Sequence, residues 1–384
     1  MLNRNLKNPF PFVGYFGPEY FCDREKEAAQ ILRNLENGGS TTLISIRRMG
    51  KTGLIQHVFG KLPHEYKGIY VDILSTEDLN QLLNLLATSI IRSISDKSSF
   101  GKKIWDFIKS LRPVISFDTL TGEAQASFNL EKNDVIPGIQ SVLNFLDRQQ
   151  FKTVIALDEF QQILKYPEKN TEAWLRSTIQ QLKQVQFIFS GSQQHLMADI
   201  FASPDRPFFR STLLLYINPI DRDEYSGFIE MVFNRYGKSI SREIVFDILN
   251  WCDLHTYYVQ LLCNRVFSGS GKEITEQLWK SQAEELIREQ EPVFLNYRNL
   301  LTKSQWQLLK ALAFSDKVYM PTASEFIHDY NLGSSASVLR SLQSLQKYEF
   351  VYSDSDQDGQ KYYSVYDVFF RQWIREKSYR YKHL

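Results

Sequence analysis

Cysteine is scarce in this sequence. Cys22, Cys252 and Cys263 are three among 384 residues, an odd number with no CxxC pair. Neither a disulfide framework nor a zinc knuckle is expected; reduced, buried thiols in a cytoplasmic protein are. Long apolar runs are missing as well. No stretch approaches about 18 consecutive apolar residues, so no membrane span is expected. The first residues, MLNRNLKNPFPF, hold no apolar run and no small-residue cleavage site, so a signal peptide is not expected either. Net charge is nearly absent: 45 basic against 44 acidic side chains leave +1. That excludes a chain that is basic overall but not a local basic patch. Low-complexity tracts and solenoid-type repeats are not found. What remains is an ordinary globular composition, 43% hydrophobic and 23% charged. The length suits two or three domains at about 150 residues each.

The pattern of apolar residues divides the chain. Residues 24–37 put Ala28, Ile31, Leu32 and Leu35 at helical spacing and stop at Gly38. A buried strand is expected over 41–46, a helix over 51–59, a strand over 69–73 and an apolar helix over 79–94. Between 113 and 131 the sequence alternates around Thr121-Gly122, which predicts a β-hairpin inserted at the sheet edge. A helix over 136–146 leads to a strand at 153–157, a helix at 174–182 and strands at 185–189 and 213–217. Such alternation predicts an α/β core over 1–217, a mostly parallel sheet with crossover helices.

After Pro219 the β pattern stops. Helices are expected over 222–236, 242–250, 257–267 and 275–289, which defines a helical subdomain at 218–295. Three more helices, over 304–314, 322–330 and 334–347, precede two short strands around the acidic turn DSDQDG. That order describes a winged helix-turn-helix at 296–384.

The chemistry concentrates in Ser45-Ile46-Arg47-Arg48-Met49-Gly50-Lys51-Thr52, between a strand and a helix. It nearly matches the phosphate-binding pattern GxxxxGK[ST], with Ser45 at the first glycine. Such a loop aims backbone N–H groups at phosphate oxygens. Gly50 allows close approach, Lys51 carries an ammonium to the β- and γ-phosphates, and Thr52 supplies a hydroxyl to Mg²⁺. The strand TVIAL then runs into Asp158-Glu159. Ligands of open α/β sheets bind beside such strand ends. Asp158 is expected near Mg²⁺, and Glu159 is expected to polarise the attacking water. The next strand ends in Ser190-Gly191-Ser192. Ser190 is the candidate there for the γ-phosphate or the water, and a simple turn explains the triplet about as well.

Taken as a set, these residues resemble the prokaryotic AAA-like/STAND-class P-loop ATPases, in particular the archaeal-type ATPase family. The resemblance begins at Phe21-Cys22-Asp23-Arg24-Glu25-Lys26-Glu27 and continues through Arg47-Arg48-Met49-Gly50-Lys51-Thr52-Gly53-Leu54. It extends to Leu157-Asp158-Glu159-Phe160-Gln161, to Phe189-Ser190-Gly191-Ser192 and to Leu254-His255-Thr256-Tyr257-Tyr258 in the helical lid. It implies an ASCE/AAA-like P-loop NTPase sheet and Mg²⁺-dependent ATP binding and hydrolysis that drive a conformational switch. It also places Arg47, Arg48, Met49, Gly50, Lys51, Thr52, Gly53, Ser190 and His255 around the nucleotide, His255 at the β-phosphate. Arg206 or Arg210 could sense the γ-phosphate, in the same or a neighbouring subunit, so a homo-oligomer stays open, although a surface loop with solvated charges is the favoured reading of both. Four positions depart from the family pattern: Ser45 and Asp23 stand for Gly, Gly53 for Ser and Thr256 for Pro.

The winged region carries few cations. The recognition helix over 334–347 has Arg340 and Lys347, and the wing has Asp354, Asp356 and Asp358. Phosphate contacts dominate DNA affinity, so an acidic wing argues against tight duplex binding; protein docking or intramolecular regulation is at least as well supported as DNA reading, and DNA stays open. A nucleotide-binding regulator or adaptor with little turnover, acting through the winged helix, is the alternative reading. Lys51→Ala should abolish binding of ATP with Mg²⁺ in titration calorimetry and leave the circular dichroism spectrum unchanged. Normal ATP affinity in that variant would refute the phosphate-loop assignment.

Overall fold

The computed structural model describes residues 6–94, 99–117, 122–128, 130–356 and 358–382. Thr121 of the expected hairpin turn, Gln357 of the acidic turn and the last two residues lie outside the described residues. The chain divides into two compact units, Val13–Ile220 and Asp221–Leu384, the latter joined by the residues up to Phe12.

The first unit runs α1 (Glu25–Glu36), β1 (Thr41–Ile44), α2 (Lys51–Lys61), β2 (Tyr66–Asp72), α3 (Leu79–Ile94) and α4 (Ser99–Ser110). It continues with β3 (Val114–Phe117), β4 (Ala124–Ser127), α5 (Lys132–Asp147), β5 (Lys152–Asp158), α6 (Thr171–Gln180), β6 (Val185–Ser190), α7 (Gln194–Ala202) and β7 (Leu213–Tyr216). Five strands form one parallel sheet in the order β2-β5-β6-β1-β7. β1 and β6 are buried along their whole length, and β5 is buried after its first residue. That is why none of the three alternates polar with apolar residues. One apolar layer holds α1 and α2, through Ile31, Leu35, Leu54 and Val58. The other holds α3 and α5, through Leu83, Ala87, Ile139 and Leu143. Helices on both faces of a parallel sheet make this the expected α/β architecture.

The order has one consequence for function. β6 lies between β1 and β5, so the loops after all three strands meet at one edge. The fold places ligands in the crevice at that edge.

The hairpin differs from expectation. β3 and β4 pair with each other in a separate two-stranded sheet, rather than at the edge of the main one. Two strands alone are marginal, and here they lean on α3. Ala126 N–H donates to Thr88 Oγ1 at 3.1 Å, and Phe128 N–H donates to Asn84 Oδ1 at 2.7 Å.

The second unit contains α8 (Arg222–Arg235), α9 (Arg242–Trp251), α10 (Thr256–Gly269), α11 (Glu276–Leu300), α12 (Lys303–Ser315), α13 (Ser324–Tyr330) and α14 (Ser335–Lys347). Then follow β8 (Val351–Ser355), β9 (Lys361–Val365) and α15 (Val368–Lys382). α11 runs on past Glu289, where the sequence pattern ends its helix, passes through Pro292 and crosses residue 295 without a break. Proline removes one helical hydrogen bond. Packing offsets that loss here, because buried Phe294 stacks near Phe370 and Trp373 at ring separations of 5.2 and 5.8 Å. α12 opens with a complete capping box between Thr302 and Gln305. The helices α12–α14 and the antiparallel pair β8–β9 are the expected helix-turn-helix and wing. α15 ties the winged part to the α9–α10 turn. Arg371 donates to Asp253 Oδ2 at 3.1 Å, and Gln372 Nε2 donates to the Trp251 carbonyl at 3.0 Å.

Among the described residues, the α-helices α4, α7 and α15 and the short 3₁₀ helices Pro18–Tyr20 and Phe160–Lys165 lie where none is expected. The aromatic-rich end from Tyr362 to Trp373 reads from sequence mainly as core packing, and Tyr362, Phe369, Phe370 and Trp373 are buried. All three cysteines are buried and unpaired with one another. Among the described residues no helix is long and apolar enough to cross a membrane.

Phe160 follows directly on the strand end at Asp158-Glu159. Its fully buried ring meets Phe189, Phe201 and Phe208 at 4.6, 5.6 and 5.4 Å. Phe160→Ala should lower unfolding stability by about 3–5 kcal/mol in denaturant titration. A loss under about 1 kcal/mol would contradict the packing described here.

Candidate functional site

The loop between β1 and α2 is shaped by two left-handed residues. Arg48 has φ 61° and Gly50 φ 90°, and Gly50 is the N-cap of α2. The second value favours glycine. The turn leaves the first N–H groups of α2 without helical partners, where an anion is stabilised. Lys51, the first residue of α2, is buried. Its ammonium donates to the Ser45 carbonyl at 3.3 Å, to Ser45 Oγ at 3.0 Å and to the Ile46 carbonyl at 2.9 Å. Burial pulls its pKa down to about 8, against the pull of Asp158 and Glu159, and Arg47 adds to the depression. The cation is thus held inside the loop by three oxygen atoms.

Thr52, the next residue, crosses to β5. Its hydroxyl donates to Asp158 Oδ2 at 2.9 Å. Tyr70 on β2 donates to the same oxygen at 2.7 Å. The Glu159 N–H donates to Asp158 Oδ1 at 3.0 Å, so both oxygens of the buried carboxylate are engaged. Burial, and after it the charge of Asp158, pushes the Tyr70 hydroxyl far above its ordinary range, so it stays a donor. Asp72 pairs in register with Asp158 across β2 and β5. Burial raises the pKa of Asp72, with the Leu74 N–H opposing and the charges of Asp158 and Glu159 adding to the rise.

Glu159 has φ 58°, a left-handed conformation that is uncommon in a non-glycine residue. Its Oε2 accepts from Gln161 Nε2 at 2.6 Å, from Ser192 Oγ at 2.6 Å and from the Ser192 N–H at 3.3 Å. The central strand β6 therefore delivers Ser192 to the carboxylate. Ser190 is fully buried, and its hydroxyl has no hydrogen-bond partner among the described residues.

Lys51, Thr52, Asp158 and Glu159 are brought together at one sheet edge, with Arg47, Arg48, Met49, Gly50 and Gly53 on the loop and α2. Among the described residues no three His, Cys, Asp or Glu side chains form a metal cage. The donor set suits Mg²⁺ all the same. That ion prefers hard oxygen donors, keeps several waters and uses few protein ligands beside phosphate oxygens. His255 belongs to the other compact unit, as the buried N-cap of α10. Arg206 is committed to Glu172 at 2.6 Å and to Asp199 at 3.6 Å. Arg210 is exposed, with its guanidinium 5.1 Å from the Phe209 ring centroid. Tyr70 and Gln161 carry no role in the sequence reading, although Gln161 stands inside a quoted motif; Ser192 belongs to the triplet read as facing the γ-phosphate or the water, of which Ser190 is the candidate carried forward.

A family model for an ATPase domain predominantly from Archaea matches residues 21–262, more than half of the chain. The chain belongs to this archaeal-type ATPase family. A second model, described as a probable winged helix domain, matches residues 292–376. Among solved structures the chain is similar to the Walker-type ATPase PABY2304 of Pyrococcus abyssi. Identity is 19%, coverage is 96% of this chain and 99% of that chain, and the TM-score is 0.67. It is also similar to the ORC2 protein of Aeropyrum pernix in its ADPNP–ADP complexes. There identity is 13%, coverage 96% and 98%, and the TM-score 0.60. At such identities the likeness is one of fold, that of the P-loop NTPases. No curated protein matches the sequence.

The archaeal-type ATPase pattern makes the four departures interpretable. Ser45 replaces glycine, and its hydroxyl becomes a ligand of Lys51. Asp23 has φ 41°, which explains the glycine common there. Gly53 replaces serine, and a Cβ on it would sit 3.0 Å from the Phe21 ring. Thr256 is the first residue of α10, a position where proline is favoured. Arg24 reaches the loop from behind, donating to the Met49 carbonyl at 3.5 Å.

A bound phosphate would hold the Lys51 proton, whereas in the free protein the group titrates at about 8. The bound pKa then exceeds the free one, so affinity is full below the free value and falls as pH rises through it. ADP affinity should change little between about pH 7 and 8 and weaken up to about tenfold per pH unit above about 8. A level profile from pH 7 to 9.5 by calorimetry would contradict the placement of Lys51.

Proposed function

We propose that this chain binds ATP at the Ser45–Thr52 loop and hydrolyses it, and that the cycle switches its conformation. The observation that carries this reading is the Thr52–Asp158 hydrogen bond, with Glu159 next in the chain and β6 between the two strand ends. Backbone N–H groups of the loop and the first turn of α2 bind the phosphates. Lys51 exchanges its three loop oxygens for phosphate oxygens. Glu159 takes the proton of a water that attacks the γ-phosphorus, and ADP leaves. Mg²⁺, when held by Thr52 and Asp158, supplies neutralisation of charge on the phosphate oxygens. A role for His255 or for Arg210 at the nucleotide rests on the family resemblance alone.

The output is proposed to pass through the winged helix to a protein partner. Its wing carries Asp354, Asp356 and Asp358, a sign of charge opposed to DNA binding. One observation favours the slower alternative, a nucleotide-binding regulator. The Ser45 hydroxyl adds a hydrogen bond that Lys51 gives up when it turns to a phosphate.

Steady-state phosphate release decides between the two. Wild type should hydrolyse ATP above background, and Glu159→Gln should lose about a hundredfold or more while still binding ATP. If wild type binds ATP and neither protein turns it over, the enzyme reading fails and the regulator stands.

A further inference from the structure

Glu159 is fixed more firmly than a surface carboxylate needs to be. All three donors from Gln161 and Ser192 converge on Oε2, and none of the three goes to Oε1. The Gln161 side chain is itself built in. Its residue is buried, and its amide oxygen has no hydrogen-bond partner among the described residues. Leaving a buried acceptor unmatched is costly. The reverse orientation would be worse, because a carboxylate accepts only and must meet the NH₂ group. The amide thus gives up one hydrogen bond to aim its donor at Glu159.

Gly191 makes the room. A Cβ there would lie 2.1 Å from Gln161 Oε1, 2.7 Å from Met197 Sδ and 2.8 Å from Met197 Cγ. The glycine between Ser190 and Ser192 is therefore explained by close approach, not by an unusual backbone angle. Glu159 also holds its left-handed φ of 58°, a conformation that persists where surrounding contacts over-determine it.

We propose that Gln161, seated over Gly191, and Ser192 are positioning residues for Glu159. They anchor Oε2 so that Oε1 is presented to the attacking water. This rests on the ATPase reading above. Neither residue need touch nucleotide, so both act through Glu159. The reaction gains from a fixed acceptor because a small misplacement of a catalytic group costs rate rather than binding.

The test uses the full chain, with single-turnover phosphate release and ADP binding measured on each variant. Gln161→Ala, Ser192→Ala and Gly191→Ala are made in the wild-type and Glu159→Gln backgrounds. Each should slow turnover about tenfold to a hundredfold while ADP affinity stays within about twofold. Gly191→Ala displaces the same amide and also presses on buried Met197, so any loss it adds to Gln161→Ala should appear equally in the Glu159→Gln background. In the Glu159→Gln background Gln161→Ala and Ser192→Ala should have no further effect on the rate, and Ser192→Thr, which keeps the hydroxyl, should restore most of the rate that Ser192→Ala loses. Faster turnover on removing Gln161 would overturn the proposal, showing an inhibitory hold. So would equal losses from Gln161→Ala or Ser192→Ala in both backgrounds, which mark a merely structural role. If Glu159→Gln is slowed and Gln161→Ala is not, the positioning proposal fails and the ATPase reading stands. If Glu159→Gln turns over like wild type, that reading fails and takes the proposal with it.

Discussion

One hydrogen bond joins the two halves of the candidate site: Thr52 Oγ1 to Asp158 Oδ2, from the first turn of α2 to the end of β5. Those elements are 106 residues apart in sequence. They meet only because the sheet order sets β6 between β1 and β5 and keeps all three strands parallel. A hydroxyl and a carboxylate placed this way bring hard oxygen donors beside the start of α2, whose first N–H groups have no helical partners. The apolar burial on both faces of the sheet fixes the strands, and through them this pair.

Around that bond the site carries strain and unpaired polarity that a purely structural element would avoid. Lys51 is buried with its pKa pulled down to about 8, Glu159 sits at a left-handed φ, and the Gln161 amide oxygen is unmatched. Each is unfavourable by itself, and such features persist where surrounding structure over-determines them. Their gathering at one edge of the sheet is a stronger argument for chemistry than any of the motifs singly.

Much of this was legible in the sequence, because the relevant signals are local. A buried strand, a glycine-lysine-threonine turn and a helix lie within about twenty residues, and TVIAL-Asp158-Glu159 declares a strand end by itself. What was not legible depends on register between distant strands. Tyr70 reaches Asp158 because β2 pairs with β5 residue by residue, and no spacing in the sequence encodes that. Ser192 rather than Ser190 meets Glu159 because the chain turns after β6, a matter of loop path. The separate hairpin and the continuous α11 were missed for a related reason. Contacts with α3 in one case and with Phe370 and Trp373 in the other extend beyond what local pattern shows, and carry α11 through Pro292.

The central claim is that Thr52 and Asp158 form the metal-dependent half of a nucleotide site whose other half is the loop with Lys51. Titration calorimetry of ATP, with and without Mg²⁺, on wild type and Asp158→Asn tests it most directly. Wild type should bind ATP more tightly when Mg²⁺ is present, and Asp158→Asn should keep its affinity for ATP alone while losing most of that gain. An equal Mg²⁺ gain in both proteins, or no ATP binding by wild type, would contradict the assignment.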